Sequence, residues 1–343
     1  MKIKKIIISG IWKKYDIEWE LGPNVCILSG NNGIGKTTIL DIVAQLIITG
    51  QINKEYNTKF NQVDVLFDDG TKLSGVNFND SYKKLKSKAE SNEMYKSLID
   101  DVDIDLGGKA ETAKGLMITA SIVFAKNKGK NINIESFIER INSSIISSFD
   151  TTLPSEDDQN RHIELKKEGV QTDLDLELYY MQEKYSYYLA DLARRVEDRI
   201  VNNEIVDNEF VYNLYKEKNT FIKIINEFFA ETGKKIDGTQ SKLSFILEDG
   251  QRISLYKLSS GEKQLIYIFL KVLLHNQKEC IIFMDEPEIS LHVDWQKILL
   301  SKILELNPNT QMIIATHSPS LIMNGWAEHI INVQDIRKPC QPS

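Results

Sequence analysis

Residues 30–37 read Gly-Asn-Asn-Gly-Ile-Gly-Lys-Thr and fit the spacing G-x-x-x-x-G-K-[ST] without deviation. The chemistry served by that spacing is phosphate binding. Glycines allow backbone N–H groups to converge on phosphate oxygens, and a following helix adds its positive N-terminal end. Asn31, Asn32, Gly33, Gly35 and Thr38 belong to this candidate loop by position. Lys36 would reach the outer phosphates, and the Thr37 hydroxyl would ligate Mg²⁺. A second element is Asp285-Glu286, two acids at the end of the apolar run 280–284. Asp285 is the expected Mg²⁺ partner, and Glu286 the candidate base for a water attacking the outermost phosphate. His317 follows a further apolar run, 311–315, where it could sense that phosphate.

These residues need elements to hold them. The run 24–29 is nearly continuous apolar and predicts a buried strand before the loop; 38–48 predicts the helix after it. Strands are expected at 2–8, in an edge or second layer, and at 15–20, with Gly10 near their turn. A hairpin is expected from 62–67 and 72–78 around Asp68-Asp69-Gly70-Thr71, with a further apolar run at 117–124. The segment 126–131 reads as a basic loop, 135–148 as a helix, 150–160 as a polar linker, and 174–232 as two or three helices. A hairpin at 242–247 and 252–256, a helix at 261–275, a helix at 293–306 and a polar tail at 335–343 complete the expectation. Strand–loop–helix, an insertion, then further strand–helix units make an α/β core.

One further segment, Leu258-Ser259-Ser260-Gly261-Glu262-Lys263-Gln264, resembles the signature LSGG(E/Q)(K/R)Q of ABC-type ATPases, with Ser260 in place of the first glycine. With the phosphate loop, acidic pair and histidine in family order, the chain resembles the SMC/RecF class, not the transporter class. Residues 286–292, Glu-Pro-Glu-Ile-Ser-Leu-His, resemble the EPE-x-x-LH run of OLD/RecF-like defence ATPases. The motif-bearing parts cover 1–50 and 240–332.

The resemblance implies an ABC-type P-loop ATPase head with an N-terminal antiparallel β layer and a helical insertion. Expected parts are 1–125 and 241–343 for the head and 126–240 for the insertion. It implies ATP and Mg²⁺ as cofactors, and two heads closing face to face. Ser259, Ser260, Gly261 and Glu262 of one head would then face the nucleotide of the other. The glutamine-loop equivalent is left unassigned at the end of a strand between the phosphate loop and the insertion: Lys126, Asn127 or a nearby residue could occupy it, and neither Gln45 nor Gln62 is assigned to it. Trp12 and Tyr15 are candidates for base contacts or for packing.

Composition narrows the function classes. Forty-two Lys+Arg against 49 Asp+Glu give a net charge of −7, which excludes a generally basic nucleic-acid coat. Hydrophobic residues at 42% and charged residues at 27% fit a folded, soluble chain. Three cysteines without paired spacing exclude a disulfide framework, no apolar run is long enough to span a membrane, and the cytoplasm is the expected compartment. Only 26 residues follow His317, too few for the Toprim nuclease that often follows OLD-like ATPases. The expectation is therefore a sensor or scaffold for a separate effector, a nuclease or toxin, in anti-phage defence, with DNA or a phage protein as trigger. The alternatives are a RecF-like DNA-repair clamp using basic segments 83–88 and 126–130, and a slow nucleotide-locked adaptor.

Overall fold

The computed structural model describes residues 1–56, 59–77, 121–147 and 169–340. The basic segment 83–88, the linker 150–160, Phe78 and residues 117–120 lie outside the described residues.

Strands β1 (Ile3–Ile11) and β2 (Tyr15–Glu20) open the chain. Trp12 and Lys13, both with positive φ, turn between them, and Gly10 sits at a register shift just before. β3 (Val25–Ser29) is the buried strand that feeds α1 (Lys36–Thr49). The expected hairpin forms as β4 (Gln62–Phe67) and β5 (Thr71–Asn77), followed by β6 (Ser121–Asn127) and β7 (Lys130–Ile132). Segment 126–131 is thus mostly strand, with only Lys128 and Gly129 left to turn at positive φ. Next come α2 (Ile134–Arg140) and β8 (Ser143–Ile146). The two long helices are α3 (Asp173–Val201) and α4 (Asn208–Phe228). Three short strands follow, β9 (Lys234–Ile236), β10 (Ser244–Leu247) and β11 (Arg252–Ser254), and then α5 (Ser260–Leu273). The last elements are β12 (Cys280–Asp285), α6 (Val293–Leu306), β13 (Thr310–Ala315), α7 (Pro319–Ile322), β14 (Ile330–Asn332), α8 (Val333–Ile336) and β15 (Arg337–Pro339).

Two large sheets result. A seven-stranded antiparallel sheet runs β15-β2-β1-β4-β5-β6-β7, and a five-stranded parallel sheet runs β14-β3-β13-β12-β8. β1 is therefore interior to the second layer and not an edge. Two further sequence expectations differ from the fold. The helix at 135–148 stops at Arg140, because Ser143–Ile146 pairs in parallel with β12 from Ile281 to Met284. The tail after 335 is not loose, because β15 pairs antiparallel with β2. Lys126 and Asn127 lie in the antiparallel sheet, whereas the strand beside β12 in the parallel sheet is β8.

The parallel sheet is buried on both faces, and the period of two divides its side chains between two cores. Cys26, Leu28, Ile281, Phe283, Ile313 and Ala315 face α1 and the antiparallel sheet. Val25, Ile27, Ile282, Met284, Met312 and Ile314 face the helical layer. α3 and α4 join that layer through one face each: Leu174, Leu178, Met181 and Tyr185, and Phe221, Ile224, Ile225 and Phe228. These are the three- and four-residue spacings of an amphipathic helix. Thr172 and Asp175 close a capping box at the start of α3, and Asp207 caps α4 through the N–H of Phe210.

Candidate nucleotide site

Parallel register brings the chemistry to one edge. Asp285 pairs with Ala315, and Ala315 with Leu28, so β3, β12 and β13 end side by side. The N–H of Thr316 donates to the Leu28 carbonyl, and that of Glu286 to the Ala315 carbonyl, at 3.2 and 2.8 Å. The loops leaving these strands carry the phosphate loop, the acidic pair and His317, at the carboxyl end where parallel sheets bind ligands.

In the phosphate loop Gly35 sits at the N-cap of α1 with φ 100°, and no side chain caps the helix. The first-turn N–H groups are thereby left for an external acceptor. A Cβ on Gly35 would lie 2.0 Å from a ring carbon of Trp12, so only glycine allows that indole against the loop. Lys36 is buried, and its ammonium donates to the Gly30 carbonyl at 3.0 Å and lies 3.9 Å from Glu286 Oε1. Thr37 Oγ1 donates to Asp285 Oδ1 at 3.1 Å. Burial pushes the Asp285 carboxyl up to about 6, with the Thr37 hydrogen bond pulling the other way. Two hard oxygen donors side by side, one of them a carboxylate withdrawn from water, fit Mg²⁺.

Glu286 has φ 46° and points a carboxylate at His317, whose Nδ1 is 2.7 Å from Oε2. Glu288 is a site residue the expectations did not include. It is 6% exposed and accepts a hydrogen bond from Thr316 Oγ1, while its other oxygen has no partner among the described residues. Burial pushes its carboxyl up to about 7, the Thr316 hydrogen bond opposes that, and neighbouring Glu286 adds to it. Ligand atoms of Glu286, Glu288 and His317 all lie within 4.8 Å of one another. The signal in the sequence was the second acid of Glu286-Pro287-Glu288, three residues after Asp285.

The signature segment forms a separate surface. Ser259 caps α5, and Ser259 and Ser260 are exposed there. Gly261 packs so closely under Ser290 that a Cβ would lie 2.4 Å from the Ser290 carbonyl oxygen. Glu262 was expected among the nucleotide contacts, but its carboxylate turns inward. It accepts from the Ser259 N–H at 2.9 Å and from the Lys234 ammonium at 2.7 and 2.9 Å. Burial would push this carboxyl up, but those hydrogen bonds outweigh it and hold the group below the usual carboxylate range. Glu262→Ala would strand the Lys234 charge and open the capping box. We expect a loss of about 3 kcal/mol, read as a lower urea midpoint with unchanged slope.

A cavity of about 450 Å³ lies beside the phosphate loop, lined by Asn31, Asn32, Gly33 and Ile34 together with Trp12, Lys14, Tyr15 and Arg337. Its size suits a nucleoside next to the loop. Thr38 lies in the first turn of α1, half-buried behind this loop.

Known proteins share this architecture. The head of an Smc protein, solved bound to the C-winged helix domain of ScpA, superposes with a TM-score of 0.53 at 11% identity over 94% of this chain and 92% of that one. The likeness shows the fold. A "Retron Vc95 probable ATPase" from Vibrio cholerae serotype O1 biovar El Tor is 29% identical over 170 residues, which are 46% of this chain and 32% of that protein's length. The "Septu protein PtuA" of Bacillus thuringiensis is 22% identical over 96% of this chain and 75% of its own. The family described as "AAA domain, putative AbiEii toxin, Type IV TA system" matches residues 25–324, which include the phosphate loop, the signature segment, the acidic pair and His317. The chain belongs to that AAA-domain family.

Proposed function

We propose that the chain binds and hydrolyses ATP at this strand edge, and that ATP closes two copies face to face to control a separate effector, a nuclease or toxin, in anti-phage defence. The observation that carries the proposal is the convergence of Lys36, Thr37, Asp285, Glu286 and His317 on one phosphate loop. Family membership and the retron and Septu relatives support the defence setting. In this reading 1–125 and 241–343 supply the head and 126–240 the insertion, apart from the end of β6, β7 and β8, which belong to the two large sheets.

The division of labour follows from the contacts. The loop glycines and Lys36 bind and orient the triphosphate; Thr37 and Asp285 would hold Mg²⁺. The metal, when bound, neutralises charge on the phosphate oxygens. Glu286 accepts the proton of the attacking water at a carboxylate oxygen, and His317, 2.7 Å away, orients that carboxylate. In this reading the outer phosphate is capped by the signature segment of another head. The Ser259 and Ser260 hydroxyls and the Gly261 N–H, at an exposed helix start, are suited to do so in a second copy.

No helix among the described residues is long and apolar enough to cross a membrane; we place the chain in the cytoplasm. The effector claim is tested by co-expression with the chain's genomic neighbours and mass measurement of the purified complex with and without ATP. A stable hetero-complex with a nuclease or toxin supports it. A lone chain that binds DNA with a steep salt dependence would replace it with the repair-clamp reading.

A further inference from the structure

The C-terminal segment, expected to be a tail, is fastened at both ends around the nucleotide cavity. β14 pairs with β3 from Ile330↔Ile27 to Asn332↔Ser29, which sets Asn332 beside the start of the phosphate loop. One helical turn later β15 pairs with β2, aligning Arg337 with Ile17 and Pro339 with Tyr15. The Cys340 N–H then donates to the Lys14 carbonyl at 2.9 Å, and Lys338 pairs with Glu18 at 3.0 Å. Arg337 is therefore held in place by strand pairing on either side.

Its guanidinium lies 4.7 Å over the Tyr15 ring, and Arg337 lines the cavity together with residues 31–34. It is half-buried, and among the described residues no carboxylate pairs with it. A guanidinium is flat and can stack face to face between two rings, whereas an ammonium offers a point charge without a plane. With Tyr15 on one face, the complementary ligand surface in the cavity is a flat heteroaromatic ring. The phosphate loop that lines the same cavity points to which ring that is: the base of the nucleotide whose phosphates the loop would hold.

We propose that Arg337, stacked on Tyr15, is the base-selecting residue of this site and stacks the purine of a purine nucleoside triphosphate. The proposal rests on the nucleotide-site reading above and adds to it a contact from the last strand of the chain. A purine offers more stacking area than a pyrimidine, so the contact favours ATP over CTP. Phosphate binding is left to the loop.

The test is calorimetric titration of the full chain, Arg337→Ala and Arg337→Lys with three Mg²⁺-loaded probes: a non-hydrolysable ATP analogue, the matching CTP analogue, and inorganic tripolyphosphate. Arg337→Ala is expected to weaken the ATP analogue roughly tenfold, to shrink its preference over the CTP analogue, and to leave tripolyphosphate within about twofold of wild type. Arg337→Lys, which keeps the charge but not the plane, is expected to behave as Arg337→Ala. An equal loss for tripolyphosphate would make Arg337 a phosphate contact and overturn the proposal. So would unchanged affinity for the ATP analogue in Arg337→Ala, or full rescue by lysine. A wild-type chain that binds neither tripolyphosphate nor the ATP analogue would overturn the nucleotide-site reading itself, and this proposal with it.

Discussion

Glu286→Gln will keep Mg-ATP bound and lose turnover by about two to three orders of magnitude. Glutamine has the shape of glutamate and can still meet His317 Nδ1, now 2.7 Å from Oε2. It cannot take a proton from water. The left-handed backbone at Glu286, φ 46°, is tied by its N–H bond to the Ala315 carbonyl, a contact that glutamine keeps. Binding groups on the loop are untouched, so the nucleotide Kd stays near the wild-type value and the closed pair of heads accumulates. Single-turnover hydrolysis with a parallel nucleotide titration measures both quantities. Hydrolysis at the wild-type rate would show that another group activates the water. Glu288 would then be the group to test, since its carboxyl lies in the same cluster.

Lys36→Ala will fail at the earlier step. The ammonium sits nearly buried, donating to the Gly30 carbonyl, and is the lysine paired with Glu286 among the described residues. A charged donor to phosphate is worth about 2–3 kcal/mol, so removal weakens ATP roughly 30- to 150-fold. Hydrolysis at subsaturating ATP falls at least in proportion. Titration with a fluorescent nucleotide measures the change. An affinity within about threefold of wild type would mean that the loop backbone alone holds the phosphates.

The two variants separate binding from chemistry, and that separation reflects how the sequence encodes the site. Groups carried by local pattern are legible in the order of residues alone. The phosphate loop has fixed spacing. The runs at 24–29, 280–284 and 311–315 are apolar on both strand faces, as a parallel sheet between two cores requires, and the helix expected at 293–306 has those ends in the fold. Parallel pairing then does what no local pattern states: it aligns three strand ends into one edge.

The elements that escape a local reading depend on partners far along the chain. β8, β9 and β15 have three or four residues, too few for a period, and exist because β12, β10 and β2 offer an edge. Ser143–Ile146 reads SSII, with no period of its own, and only pairing with β12 reveals it as strand. Arg337 reaches the cavity through such a strand, so nothing in its neighbourhood signals a site. Glu262 differs. Ser259 and Glu262 are spaced as a capping box, S-x-x-E, and the inward carboxylate is readable from that spacing. The family role assigned to the segment masks the simpler structural one.

The central claim is that one head holds the nucleotide while a second copy completes the site. Turnover per chain, measured across a dilution series in which light scattering finds the nucleotide-free chain at 39.3 kDa, tests it most directly. Turnover per chain is expected to rise with protein concentration and then saturate, as ATP draws two chains together. Turnover per chain that stays constant from the most dilute sample upward, with the mass still that of one chain in Mg-ATP, would contradict it.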